Sequence, residues 1–178
     1  MSITLLPRTL DLRKPGMHRA HFEGSLGAAD MRRLLGLLAN DEGSVHASIS
    51  SALDEAGRTV LSVSVTAELS VRCQRCLEVF QRQLQTDSAL AIVRTDEQAA
   101  QLPEGLEPLL ASQEVDLWAV VEDELVLAMP LYSYHEDESC IEHLAGRDYA
   151  AGTSQQEGGG DTEAERPFDV LAKLKRDP

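Results

Sequence analysis

The sequence predicts an α+β protein: an antiparallel β-meander with a few helices packed against it and a flexible, acidic, Gly-rich segment near the C-terminus. Three observations carry that prediction. Leu61, Val63, Val65, Ala67, Leu69 and Val71 alternate with Ser62, Ser64, Thr66, Glu68 and Ser70, the period-two pattern of a strand with one buried and one wet face. Leu117 to Ala128 reads as a helix, with Asp116 placed to cap it and Pro130 to stop it. Residues 145–166 are rich in Gly, Glu, Gln, Ser and Thr and include Gly158-Gly159-Gly160, a linker composition.

The remaining elements follow in chain order. Residues 1–15 mix leucines with Pro7 and Pro15 and read as an edge strand or an ordered arm, and His21-Phe22-Glu23-Gly24 as a short strand. In residues 28–40, Met31, Leu34, Leu35 and Leu38 recur at the spacing of an amphipathic helix. Val45, Ala47, Ile49 and Leu53 form a looser period-two run, joined to the strongest strand by the turn Asp54-Glu55-Ala56-Gly57-Arg58. Residues 78–94 read as another long strand, pairing back after a turn at Cys73 and Cys76. Residues 96–112 read as mostly irregular with one helical turn. In the 117–128 helix, Leu117, Val121, Leu125 and Ala128 share one face, with Trp118 at its flank. Residues 167–178 close the chain as a short amphipathic helix beginning at Pro167. The expected organisation is one α+β domain over 1–144, a linker over 145–166 and that tail helix.

Composition narrows the function classes. A chain of 178 residues with 43% apolar and 26% charged residues can bury a real core, so general disorder is excluded. With 16 Lys+Arg against 30 Asp+Glu, the net charge is -14. Residues 1–89 carry 10 basic and 10 acidic residues, whereas residues 90–178 carry 6 basic and 20 acidic, so all the excess lies in the second half. Such a chain does not coat nucleic acid or an anionic membrane by bulk electrostatics. There is no basic-then-apolar leader at the start and no apolar run long enough to cross a bilayer. Three cysteines make no secreted disulfide framework, and the cytoplasm is the expected compartment. A Gly-rich phosphate loop, HExxH and a nucleophile elbow are all missing, which points away from the commonest enzyme classes.

One constellation carries chemistry. Cys73 and Cys76 have the spacing with which two thiolates grip one metal ion from a tight turn. Cys140 and His135 supply two further donors, with His143 as the competing imidazole, giving a closed structural Cys3His zinc site. The competing readings are small buried thiols and a redox pair. The redox reading favours a CxxC that opens a helix, whereas this one lies between two strands. Asp116, Glu122, Asp123 and Glu124, followed by Glu136, Asp137, Glu138 and Glu142, suit either a divalent cation or a solvated acidic face. Neighbours on a helix point apart, so Glu122 is expected to face outward and Glu124 the packed side. Arg72, Arg75 and Arg82, with Arg8, Arg13, Lys14 and Arg19, could reach RNA phosphates, but no aromatics interleave with them to stack bases.

Taken together, these residues resemble the bacterial YceD family, the large ribosomal RNA subunit accumulation proteins, which have relatives in plants. The landmarks are Val71-Arg72-Cys73-Gln74-Arg75-Cys76-Leu77, Arg94-Thr95-Asp96-Glu97, Glu114-Val115-Asp116-Leu117, Val121-Glu122-Asp123-Glu124 and Leu127-Ala128-Met129-Pro130. His135 and Cys140 follow, then Pro167-Phe168-Asp169-Val170-Leu171-Ala172-Lys173-Leu174. Leu131-Tyr132-Ser133-Tyr134, where relatives often carry a second proline, and the Gly-rich insert at 156–160 depart from the pattern. The resemblance implies a cytoplasmic, noncatalytic ribosome-biogenesis factor supporting synthesis, processing or stability of 23S ribosomal RNA. Its expected partners are ribosome-assembly or RNA-processing proteins, with Arg72, Arg75, Arg82, Glu122, Asp123 and Glu124 as contacts. The alternatives are a divalent-metal-dependent RNA-processing enzyme built on Asp116 and Glu124, and a direct RNA-binding module built on the arginines.

Overall fold

The computed structural model describes residues 4–12, 19–111 and 113–142, all within one compact unit, Met1–Ala145. Arg13, Lys14, His143, the Gly-rich segment and the tail helix lie outside the described residues. Among the described residues there are eight strands: β1 (Thr4–Leu5), β2 (Thr9–Asp11), β3 (His21–Gly27), β4 (Gly43–Leu53), β5 (Thr59–Arg72), β6 (Val79–Val93), β7 (Glu107–Leu110) and β8 (Glu114–Asp116). Three helices join them: α1 (Arg32–Leu35), α2 (Asp96–Ala99) and α3 (Leu117–Ala128). No helix among the described residues is long and apolar enough to cross a membrane.

The centre of the fold is the antiparallel meander β3-β4-β5-β6, as the alternation predicts. Leu61, Val63, Val65, Ala67, Leu69 and Val71 are all buried, as are Val45, Ala47 and Ile49 opposite them on β4. At the β4–β5 turn, Asp54 Oδ1 accepts from the N–H groups of Ala56 and Arg58, and Gly57 takes the left-handed conformation at φ 76°. α3 packs on β5 and β6. Leu117, Val120, Val121 and Leu125 face the core, and the Asp116 carboxylate accepts from the N–H groups of Trp118 and Ala119 at 3.0 Å each. Glu124 is buried on the same helix, the packed side expected for it.

Four expectations need correction. The sheet is mixed: β1 pairs parallel to β3 at one edge and β7 parallel to β6 at the other, so residues 96–112 contain a strand as well as the helical turn of α2. The short arm comes close to the sheet because Gly24 has no side chain; a Cβ there would stand 2.8 Å from that of Leu6. The helix expected over 28–40 is broken into a 3-10 turn, Ala28–Asp30, and the single turn of α1. Met31, at φ -112° and ψ 87°, separates them. The cause is tertiary: Glu122 Oε1 of α3 accepts from Arg33 N at 2.6 Å and Leu34 N at 3.2 Å, donors a continuous helix would give to its own carbonyls. Met31 and Leu34 remain buried and Leu38 half-buried, so the apolar face survives the break.

The third correction concerns Leu53, which is 51% exposed at the hairpin end; Ser51 takes the last buried position of β4, its Oγ accepting from Ala20 N. The fourth is Ala128, only half-buried, since the apolar face of α3 is completed by Val120 instead. A second small sheet, β2 with β8, sets Leu10 and Val115 into the core and delivers the chain to α3. Leu117 N donates to Arg8 O at 2.8 Å, fixing the start of that helix.

Candidate metal centre

β5 ends at Arg72, and the chain turns through Cys73–Glu78 before β6 begins. The turn is closed by two backbone bonds, Cys73 N to Glu78 O and Leu77 N to Cys73 O, both 2.9 Å. Leu77 adopts φ 65°, an uncommon conformation for a residue with a side chain. Cys73 and Cys76 are buried at this turn, Cys73 continuing the inward parity of Val71.

The second half of the centre arrives after α3. Pro130 ends the helix, and the chain crosses back so that Gln74 N donates to Ser133 O at 2.9 Å and Arg75 donates to His135 O at 2.6 Å. The His135 ring lies 4.5 Å from the Phe80 ring, centroid to centroid. Cys140 sits in a 3-10 turn, Glu138–Ile141, whose start is capped by Asp137 accepting from Ser139 N at 2.8 Å.

One donor atom from each of Cys73, Cys76, His135 and Cys140 falls within 4.8 Å of the others, the only such His, Cys, Asp or Glu group found among the described residues. Cys76 Sγ is 3.3 Å from His135 Nδ1, and Cys73 Sγ is 4.0 Å from Cys140 Sγ. Sulfur and nitrogen donors around a tetrahedral ion with bonds of about 2.0–2.3 Å stand roughly 3.5–3.8 Å apart. Three thiols and an imidazole at these separations are thus a cluster able to hold a metal ion.

The electrostatics point the same way. Burial pushes the Cys73 thiol up, but the N–H groups of Cys76, His135 and Arg75 outweigh it and bring its pKa down to about 5. Cys140 is pushed up to about 11 by burial and by its neighbours Cys73 and Cys76. Three adjacent sulfurs cannot all ionise without a shared positive charge, which a central cation supplies.

The acidic residues do not gather in this way. Asp116 caps α3, and Glu122, expected to face outward, is instead turned onto α1, where it accepts from Arg33 N and Leu34 N and pairs with the Arg33 guanidinium at 2.9 Å. Asp123 pairs with the same guanidinium. The interactions with Arg33 hold the Glu122 carboxyl below its usual range despite the opposing effect of burial. Burial raises the Glu124 carboxyl, and the nearby carboxylates of Glu107 and Asp123 raise it further. Among the arginines, Arg72 is exposed and donates to Leu77 O at 2.8 Å. Arg75 is half-buried, 5.0 Å over the Tyr134 ring, and Arg82 is half-buried on β6. Arg8 lies 5.7 Å over Trp118 and Arg19 is exposed.

Sequence reasoning missed Phe80, whose ring packs against the imidazole, and Tyr134, whose ring lies under the Arg75 guanidinium that donates to His135 O. A signal was present in the sequence, since Tyr134 adjoins His135 and Phe80 lies four residues beyond Cys76.

The family model described as "Large ribosomal RNA subunit accumulation protein YceD" matches residues 61–175, from the central strand through both halves of the cluster. A curated relative of that same name from Haemophilus influenzae is 31% identical over 173 residues, covering 96% of this chain and 97% of its own length. No solved structure matches. The chain belongs to the YceD family.

Proposed function

We propose that this protein is a noncatalytic ribosome-biogenesis factor that supports accumulation of 23S ribosomal RNA, through its synthesis, processing or stability. In this reading it works in the cytoplasm through ribosome-assembly or RNA-processing proteins. The observation that carries the reading is near-full-length similarity to a relative named for large ribosomal RNA subunit accumulation. Its organisation in this reading is one domain over 1–144, a linker over 145–166 and a tail helix over 167–178, supported by the composition shift. Action through proteins rather than on RNA directly is supported by the charge: the net -14 lies in residues 90–178 and favours encounter with basic proteins. It is also supported by Arg72 and Arg75, each of which donates to a carbonyl of its own chain.

The test is genetic. Cells deleted for the gene should show a fall in large-subunit relative to small-subunit ribosomal RNA, restored by this chain. An unchanged ratio in the deletion overturns the proposal.

We further propose that Cys73, Cys76, His135 and Cys140 hold a structural zinc ion, a soft-donor set with all four positions closed and none left for a catalytic water. The support is the donor chemistry and the separations above. Purified, reduced protein should carry about one equivalent of zinc, lost in Cys73→Ser. Less than roughly a tenth of an equivalent in the parent protein overturns the assignment.

A further inference from the structure

β6 is paired with β5 along Val79–Ala91, but with β7 only along Leu90–Val93. Among the described residues, no strand lies beside Val79–Ala89 on the other side, and no backbone hydrogen bond leaves that stretch in that direction. In an antiparallel ladder every second residue turns its N–H and C=O away from its partner, so this edge presents a row of open donors and acceptors. Native edges of such length are usually blunted by proline, lysine, a bulge or brevity. The sequence here, Val-Phe-Gln-Arg-Gln-Leu-Gln-Thr-Asp-Ser-Ala, contains no proline, glycine or lysine, and its register against β5 runs without a bulge.

The chemistry beside this edge selects what can cover it. A groove of about 610 Å³ lies over its first residues, lined by Phe80 to Gln83, by Glu68 of the neighbouring β5 and by the segment Tyr134 to Asp137, which brings Glu136 and Asp137 to this end. Asp87 is exposed farther along, and Glu107 stands across from Leu90 where β7 begins. Gln81, Gln83 and Gln85 between them are exposed and uncharged. The one cation of the stretch, Arg82, is half-buried, and its Nε has no hydrogen-bond partner among the described residues.

We propose that the Val79–Ala89 edge of β6 is a docking site for an extended, lysine- or arginine-bearing segment of a partner protein, which adds to the sheet as a further strand. The open backbone groups supply affinity for any extended chain, and the carboxylates at both ends select a basic one. This rests on the reading above that the protein works through protein partners, and it gives that reading a surface and a partner chemistry.

The test uses the full chain and two synthetic nonapeptides, one alternating lysine with valine and one alternating glutamate with valine. Amide hydrogen exchange is followed across β6. The lysine peptide should slow exchange of alternate amides within 79–89 by roughly tenfold or more, and the glutamate peptide should not. The double variant Gln83→Lys/Asp87→Lys, with its melting temperature confirmed unchanged, should lose that protection. Absence of protection by the lysine peptide, or equal protection by both peptides, overturns the proposal. Protection that appears without peptide and rises with protein concentration overturns it in favour of a second copy of this chain. In cells, a variant that loses peptide binding yet restores ribosomal RNA accumulation overturns the edge as the working surface and leaves the proposed function standing. Failure of the parent chain to restore accumulation has the opposite meaning.

Discussion

The sheet beneath α3 and the corner formed by residues 130–141 are held by different physics. In the sheet, Val45, Ile49, Leu61, Val65, Leu69, Leu117, Val121 and Leu125 are fully buried, and an unbroken ladder joins β4 to β5. The corner has little such burial: Leu131 and Tyr132 are exposed, and its only regular structure is the 3-10 turn Glu138–Ile141. It is held by two bonds to the cysteine turn, by ring contacts, and by the sulfurs and imidazole that meet there. The first region is stabilised by area removed from water, which many residues share. The second depends on four side chains and, in the proposed function, on an ion that joins them.

The comparison yields graded expectations. Leu125→Ala should cost the whole fold about 2–5 kcal/mol, measured by urea denaturation, because it opens a cavity in the shared core. A loss below about 1 kcal/mol would mean that α3 is not seated as described. Chelation, or Cys76→Ser, should instead act locally. Amide exchange should accelerate across 131–141 and the 73–78 turn, by roughly tenfold or more, while the amides of β4 and β5 keep their protection. Simultaneous loss of protection in both regions would erase the distinction.

Glu124 tests the core from its polar side. Its folded pKa is raised by burial, so the folded state holds that proton more tightly than the unfolded state does. Stability is therefore lost as pH rises from the ordinary glutamate value through the raised one. Glu124→Gln should remove that loss, leaving the variant relatively better at pH 7 than at pH 4. Parallel stability–pH curves for the two proteins would show that the carboxyl is not desolvated. The smallest effect belongs to Asp116→Ala, expected to cost about 1 kcal/mol by uncapping α3. Thermal denaturation measures it, and an unchanged midpoint would show that the cap contributes nothing.

What the sequence made legible follows from the same division. β5 was readable because its two faces differ chemically at every step from Leu61 to Val71, and α3 because its cap, apolar face and stop are all local. The α1 region was not, because the break at Met31 is imposed by Glu122, far along the chain. β7 was hidden for a related reason: Glu107–Leu110 carries Pro108 and no alternation, and it becomes a strand by lying parallel to the end of β6. The cluster was half legible. Cys73 and Cys76 announce themselves by spacing, whereas the place of His135 beside them comes from a chain crossing that no local pattern encodes.

The turn between β5 and β6 also sets an order in time. Cys73 and Cys76 belong to a hairpin of neighbouring strands, whereas His135 lies 59 residues beyond Cys76. At ordinary synthesis rates, roughly 3 to 12 seconds pass between the appearance of the two-thiol turn and that of its imidazole. Through that interval the nascent chain displays an incomplete chelate with two coordination positions open. If the cluster is the zinc site proposed above, that interval is when free metal, a thiol-capping small molecule or a carrier protein meets Cys73 and Cys76 without their other two donors.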